Sequence, residues 1–307
     1  MLCPLFFSIA FVNPSPLKQQ QALAMSALVS SGMIWGLSWW PLKFFSAAGL
    51  DGHAIALTAY AVVAIFALPV IWLERGYWRN EWQLLILIGF FFGLANLLFT
   101  SALMMGAVVR GMLLFFLLPA WGVLGGKLIL KERLGMRRLF AACLCLLGVF
   151  IIMGGVQVFS EPLSLADLAA LIAGLCYTLA GICNRVAQRI PLASRTLISF
   201  VGCATIAVFG LGLHTPMIPA MPMMNWIGLG LFACIWLMGG TALTTYGVTH
   251  VAASRAAVLQ VMELLVAVVS AVLLGGETLH TEEYIGGALI LSATLVEAFS
   301  SSEEVHV

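Results

Sequence analysis

Charge is what this chain has least of. Only 9% of its 307 residues are Asp, Glu, Lys or Arg, against about 25% in an ordinary soluble domain. That deficit, beside 62% hydrophobic residues, excludes a water-soluble globular protein. The formal net charge is +1, so no polybasic field exists to hold nucleic acid. The seven cysteines form no CxxC pair. Six of them (Cys143, Cys145, Cys176, Cys183, Cys203 and Cys234) lie inside apolar runs, where cysteine acts as a small hydrophobe. Neither a metal site, a cofactor nor a disulfide framework is expected. Catalytic signatures are missing too: no HExxH, no GxSxG elbow, no paired intramembrane aspartates. There is also no P-loop to drive ATP-powered pumping. The histidines (His53, His214, His250, His280, His306) fall at span ends or in the tail.

What the chain has instead is apolar length. Ten runs are long enough to cross a bilayer as helices: 23–46, 55–73, 82–104, 107–129, 137–155, 165–185, 195–213, 226–247, 251–275 and 283–300. Spanning segments satisfy their backbone groups internally, so helices are expected and open sheets are not. The first sixteen residues, MLCPLFFSIAFVNPSP, carry no basic n-region and are broken by Pro4, Pro14 and Pro16. They read as a loose tail rather than a signal peptide.

An even number of spans puts both termini on one side. With the N-terminus inside, that side carries Lys18, Arg75, Arg79, Lys127, Lys131, Arg133, Arg137, Arg138, Arg185, Arg189 and Arg195. The opposite side carries only Lys43. The positive-inside rule therefore places both termini in the cytoplasm, in a cytoplasmic (inner) membrane. Outer loops would hold Asp51, His53, Glu161, His280 and Glu282.

The two halves resemble each other at a spacing of 145 residues. AVVRGMLLFFLLPAWGVLGGKLILKERL, from Ala107, aligns without gaps to AASRAAVLQVMELLVAVVSAVLLGGETL, from Ala252. Arg110 falls on Arg255, Glu132 on Glu277 and Gly36 on Gly181. Matched charges weigh most, because charges are so scarce. Five spans per half force the second copy upside down, the inverted repeat common among secondary transporters. Expected units are a tail (1–22), a first five-helix repeat (23–155), an inverted second repeat (156–300) and a cytoplasmic tail (301–307). Arg110 and Arg255 should lie at mirrored depths, about 10 Å either side of the midplane. They either snorkel toward headgroups or act at helix ends.

On these residues the chain resembles the EamA family of the drug/metabolite transporter superfamily over about 23–300. WGLSWWPLK, from Trp35 to Lys43, is similar to that family's WGxxxxxxK opening. Each fourth span ends in a short acidic turn, at Glu132 and at Glu277, and the first copy has the typical proline, Pro119. The second copy has Leu264 at that place. The ninth helix is thus expected to bend less than the fourth. The resemblance implies a secondary carrier of small metabolites, often amino acids or related compounds, moved frequently outward. It also implies a central cavity lined by the first, third and fourth spans of each half.

Polar groups at mid-depth are the candidates for binding or coupling. Glu263 is foremost, an acid in the middle of an apolar run where ionisable residues are costly and by default functional. Gln260 stands three residues before it on the same face. Asn96 is in the third span, Tyr177 and Asn184 in the sixth, and Thr241, Thr244 and Thr245 in the eighth. Trp35 and Trp39, four apart, would stack on one face of the first span. Trp121 and Trp236 are too deep to be interface anchors. Each has a structural alternative: membrane threonines often bond their own helix, tryptophans pack, and a buried acid can be a protonated helix-bridging group. Desolvation disfavours a charged carboxylate and entering water restores it, so Glu263 could exchange a proton for solute. Expected partners are a small solute, lipid and protons. A membrane-embedded enzyme or a sensor or scaffold is the alternative. The former lacks clustered catalytic groups, the latter a soluble signalling domain, and only alternating access has an evident use for an inverted repeat.

Overall fold

In the computed structural model, residues 16–50, 52–105, 108–132, 135–152, 154–156, 164–210, 221–275 and 280–299 are described. The start of the tail, Asp51, Arg133, Glu161, the acidic turn at Glu277 and the C-terminal tail fall outside them, as does the Arg110 side chain. The described residues contain helices and no strand. The protein is an all-α polytopic membrane protein of ten helices in two inverted five-helix repeats.

The first repeat begins with α1, in two parts (Pro16–Gly36 and Trp39–Ala47). Then come α2 (Gly52–Leu73), α3 (Trp82–Met105), a divided α4 (Val108–Phe115 and Leu118–Leu128) and α5 (Met136–Ile152). The second repeat has α6 (Leu165–Val186), α7 (Leu192–Gly210) and α8 (Met223–Leu231, a π turn at Phe232–Leu237, then Met238–His250). A divided α9 (Ala253–Gln260 and Met262–Gly275) and α10 (Thr281–Phe299) complete it. Six of these units hold 18 or more consecutive residues apolar enough to cross a membrane. The others are α2 and α10, with shorter apolar stretches, α5, with 17 residues, and α4, which is interrupted.

The first helix starts at Pro16, not near residue 23. Proline suits the first helical position because the N–H it lacks would be unpaired there anyway. The polar LKQQQ thus belongs to the helix rather than to a tail. A capping box opens α6. The Asp167 N–H donates to Ser164 Oγ at 3.2 Å, and the Ser164 N–H returns a bond to Asp167 Oδ2 at 2.7 Å.

Glycines let helices from different repeats touch backbone to backbone, the close approach that drives packing in lipid. In α3 and α7, a Cβ on Gly93 would lie 2.5 Å from the Gly202 carbonyl oxygen. In α5 and α10, one on Gly148 would lie 2.7 Å from the Gly286 oxygen. Most buried apolar side chains fall into two bodies. One joins Leu114, Phe116, Val149, Val258 and Ile290 across α4, α5, α9 and α10. The other joins Phe45, Tyr60, Phe200, Phe232 and Leu237 across α1, α2, α7 and α8.

Candidate functional site

Three helices around the centre are interrupted, and the interruptions organise the site. The first lies at Leu37–Ser38 in α1. There the Ser38 N–H and Oγ both bond the Trp35 carbonyl, at 3.0 and 2.5 Å, a side-chain competition that weakens a helix. Trp35 and Trp39 consequently stand on either side of a two-residue turn within α1. The second, in α4, spans Phe116 and Leu117 just before Pro119.

The third corrects an expectation in part. Without a proline, α9 is still interrupted, at Val261. Val261 stands 145 residues after Phe116, so both repeats break in the same register. The Val261 N–H bonds the Val258 carbonyl at 3.1 Å, and the Leu264 N–H bonds the Val261 carbonyl at 3.0 Å. The proline-free break occupies one residue rather than two.

The last residues before the breaks in α4 and α9 converge on Tyr177. Gln260, ending the first half of α9, donates through Nε2 to Tyr177 Oη at 3.2 Å. Phe115, ending the first half of α4, puts its ring 5.7 Å from that of Tyr177. Phe92 of α3 stacks from another side at 5.8 Å. Beside this cluster is a small cleft, with room for about 30 Å³ of water-sized occupancy, partly open to its surroundings. Phe92, Tyr177, Asn184, Thr244, Thr245, Val248, Ala253, Ala257 and Gln260 are among its walls. The helices lining it are α3, α6, α8 and α9.

Four expected site residues therefore share one cavity: Gln260, Tyr177, Asn184 and Thr245. Asn184 is buried. Its Nδ2 donates to the Ala180 carbonyl at 3.0 Å, while its Oδ1 has no partner. The Thr244 hydroxyl donates to the Gly240 carbonyl at 3.0 Å and is also hydrogen-bonded to Tyr177.

Glu263 lies one turn beyond Gln260, across the break. Its backbone is pressed by α1, because a Cβ on Gly36 would lie 2.6 Å from the Glu263 carbonyl oxygen. Among the described residues the Glu263 carboxylate has no hydrogen bond or ion pair. The residue as a whole is half-buried.

The remaining candidates lie outside the cleft's lining. Asn96 Nδ2 donates to Tyr60 Oη at 2.8 Å, joining α3 to α2. Trp39 Nε1 donates to Ser270 Oγ at 2.9 Å, and the Lys43 ammonium sits 4.8 Å over its ring. Trp236 Nε1 donates to the Ile34 carbonyl at 2.9 Å. Thr241 bonds the Leu237 carbonyl of its own helix at 2.8 Å. The Trp121 Nε1 is buried without a partner. Arg255 is 5% exposed, which rules out snorkelling into lipid headgroups in this state.

A polar cluster closes the end of the bundle where α6 and α8 finish and α9 starts. Glu132 Oε1 accepts from the Ala253 N–H at 3.0 Å and lies 3.3 Å from Arg185 Nε. It thereby caps the first half of α9, where a negative charge complements the helix dipole. Arg185 also donates to the Val251 carbonyl. Arg195 donates to the carbonyls of Ile190 and Asn184, at 2.9 and 2.8 Å, and to Thr249 Oγ1 at 2.5 Å. Residue spacing announced the acid of this cluster as a turn motif. Its partners come from segments more than 50 residues away, and no local pattern marks them.

Comparison with known proteins agrees with this architecture. The model of the EamA-like transporter family matches residues 22–154 and, a second time, residues 164–297. The chain is 26% identical over 203 residues to an uncharacterized transporter of Archaeoglobus fulgidus, covering 64% of this chain and 70% of that one. One solved crystal structure superposes with a TM-score of 0.71 at 16% identity, covering 92% of this chain and 99% of the other. At that identity the likeness speaks for the fold alone.

Proposed function

Because the chain belongs to the EamA-like transporter family, and is a membrane transporter rather than an enzyme, we propose that it is a secondary carrier exporting small metabolites. Amino acids or related compounds are the solute class, moved by alternating access between the two repeats. The observation that carries this reading is the convergence on Tyr177. Two symmetry-related helix breaks each end in a residue that touches it, one polar and one aromatic. A solute held there would contact both repeats at once, and rocking one repeat against the other would change the side to which it is exposed. Interrupted helices are where transporters commonly place their binding groups.

Solute binding is assigned to Gln260, Tyr177, Asn184 and Thr245. Glu263 is assigned to coupling. A carboxylate at this depth without an ion-pair partner needs a proton or another cation for neutrality, so proton exchange for solute is the mechanism proposed. Trp39 and Asn96 tie helices together in this reading, and Trp121 and Thr241 are not assigned to the solute. The membrane is the cytoplasmic one, with both termini inside.

The test compares extracellular and intracellular metabolites in cells overproducing the wild type, cells overproducing Glu263→Gln, and cells with empty vector. A solute released by the wild type and not by the variant names the substrate and assigns Glu263 to the mechanism. Equal release from both keeps transport and removes Glu263 from coupling. If no solute distinguishes wild type from vector, export is wrong and uptake is the assay to run.

A further inference from the structure

The cleft is a shaft with one polar end. Its walls step along α6 from Tyr177 through Gly181 to Asn184, and along α9 from Gln260 back to Ala253. Each of those stretches of helix is about 10 Å long. The shaft therefore runs from the level of the Gln260–Tyr177 bond to the face where α6 and α8 end and α9 starts. Small side chains, Ala180, Ala256 and Ala257, line it between those limits.

Two wall residues at the far limit are tied by charged groups behind them. The Ala253 N–H donates to Glu132 Oε1, and Arg195 donates to the Asn184 carbonyl. Arg185, next to Asn184, stands 3.3 Å from Glu132 and also donates to the Val251 carbonyl. Glu132 belongs to the α9 side of the shaft. Its N–H bonds the Gly126 carbonyl at 2.9 Å, and Cβ atoms on Gly122 and Gly126 would touch Ala257 and Ala253. The Arg185–Glu132 pair is a link across the end of the shaft, from α6 to α9.

The other repeat lacks the two arginines for such a link. At the spacing of 145 residues Glu132 is repeated as Glu277, but Arg185 falls on Trp40 and Arg195 on Leu50. Leu50 packs with Phe45, Phe232 and Leu237, and Gly36 brings α1 onto the Glu263 backbone. One end is shut by charge and hydrogen bonds, the other by apolar packing. Salt weakens the first kind of closure and leaves the second. The Arg185 and Glu132 side chains are 27% and 10% exposed, so mobile ions reach the pair from the arginine's side.

We propose that Arg185 is a positioning residue for transport. Paired with Glu132, it latches the cytoplasmic end of the shaft, and release of that pair is the step that admits solute from the cytoplasm. The inference rests on reading the cleft as the solute's path. It gives the two access steps different chemistry, with salt favouring the state that faces the cytoplasm.

The test places a thiol in the shaft by Gly181→Cys, where a Cβ meets nothing closer than Val248 at 3.9 Å. The full chain, in everted and in right-side-out vesicles, is treated with a membrane-impermeant trimethylammonium methanethiosulfonate. Labelling at residue 181 is read by peptide mass spectrometry, so the native cysteines stay in place. Arg185→Ala, Arg185→Lys and Glu132→Gln are compared on this background, and the unfolding temperature of each is recorded. In everted vesicles Arg185→Ala and Glu132→Gln should each speed labelling about tenfold, the weight of one hydrogen bond between charged groups. Glu132→Gln keeps an oxygen for the Ala253 N–H, so its effect reports the charge and not the helix cap. Arg185→Lys should stay near the parent rate. Raising KCl from about 0.01 to about 1 M, which shortens the screening length from about 30 to about 3 Å, should speed the parent and leave Arg185→Ala unchanged. Equal rates in all variants overturn the latch and leave the shaft. Opposite shifts in Arg185→Ala and Glu132→Gln mean that the field merely steers the cationic reagent, and rates that track unfolding temperature make the pair structural only. A rise confined to right-side-out vesicles puts the latch on the outer face and overturns its cytoplasmic role. If residue 181 reacts from neither face in any variant, the cleft is no water path, and the transport-site reading falls with the latch.

Discussion

At the scale of single residues, two hydroxyl–amide pairs look alike in the sequence and differ in use. Asn96 meets Tyr60 across α3 and α2, and Gln260 meets Tyr177 across α9 and α6. Only the second pair borders the cavity. Tyr177→Phe keeps the ring contacts with Phe92 and Phe115 and removes the oxygen that orients Gln260. Transport KM should rise about fivefold, the worth of one hydrogen bond of about 1 kcal/mol, with the unfolding temperature nearly unchanged. A comparable rise in unfolding sensitivity without a change in KM would make Tyr177 a packing residue. Asn96→Leu should do the reverse. It strands the Tyr60 hydroxyl in an apolar setting, costing about 1–3 kcal/mol of stability, and leaves KM alone. Side-by-side unfolding and transport curves for the two variants separate the roles.

At the scale of elements, the positions of the ten helices were legible because apolar length is a strong signal. The symmetry of α4 and α9 was visible as matched charges at a fixed spacing. The break in α9 was not, because the usual marker, proline, is absent and the interruption follows from packing. Close approach of α1 at Gly32 and Gly36 presses on the backbone just after Val261. That Gly32–Gly36 pair is a small-xxx-small pattern, so the crossing could have been read from the sequence. Gly36→Val should therefore be severely destabilising, since its Cβ would fall 2.6 Å from the Glu263 carbonyl oxygen and 2.8 Å from the Val266 Cβ. Gly76, with nothing within 4 Å, is the control: Gly76→Ala should change the unfolding temperature little. The Glu132 cap makes a second element-scale prediction. Glu132→Ala frees the N-terminus of α9 and unpairs Arg185, which should cost about 1–2 kcal/mol. Arg185→Ala should cost less alone, and the double variant less than the sum of the two. Full additivity in unfolding measurements would mean that the 3.3 Å ion pair carries no coupling.

At the scale of the whole molecule, orientation follows from where the cations lie once the helices are counted. The face that holds the start of α1 and the ends of α6 and α8 bears Arg75, Arg79, Lys127, Lys131, Arg137, Arg185, Arg189 and Arg195. Among the described residues the other face bears Lys43. Some of these cations are tied to protein partners, Arg195 by three bonds and Arg185 by Glu132. Arg137 and Lys131 are exposed, and surface cations of this kind are the ones the membrane potential and anionic lipids hold inside. Both termini should thus face the cytoplasm, and the connection between α5 and α6, after an odd number of crossings, should face out. Alkaline phosphatase, which folds only outside the cytoplasm, is expected to be active when fused after residue 160 and inactive when fused after residue 307. The reverse pair of results would invert the molecule in the membrane and turn the Glu132 cluster into an outer closure. Activity at both sites, or at neither, would contradict the five-plus-five arrangement from which the inverted repeat, and with it alternating access about Tyr177, is argued.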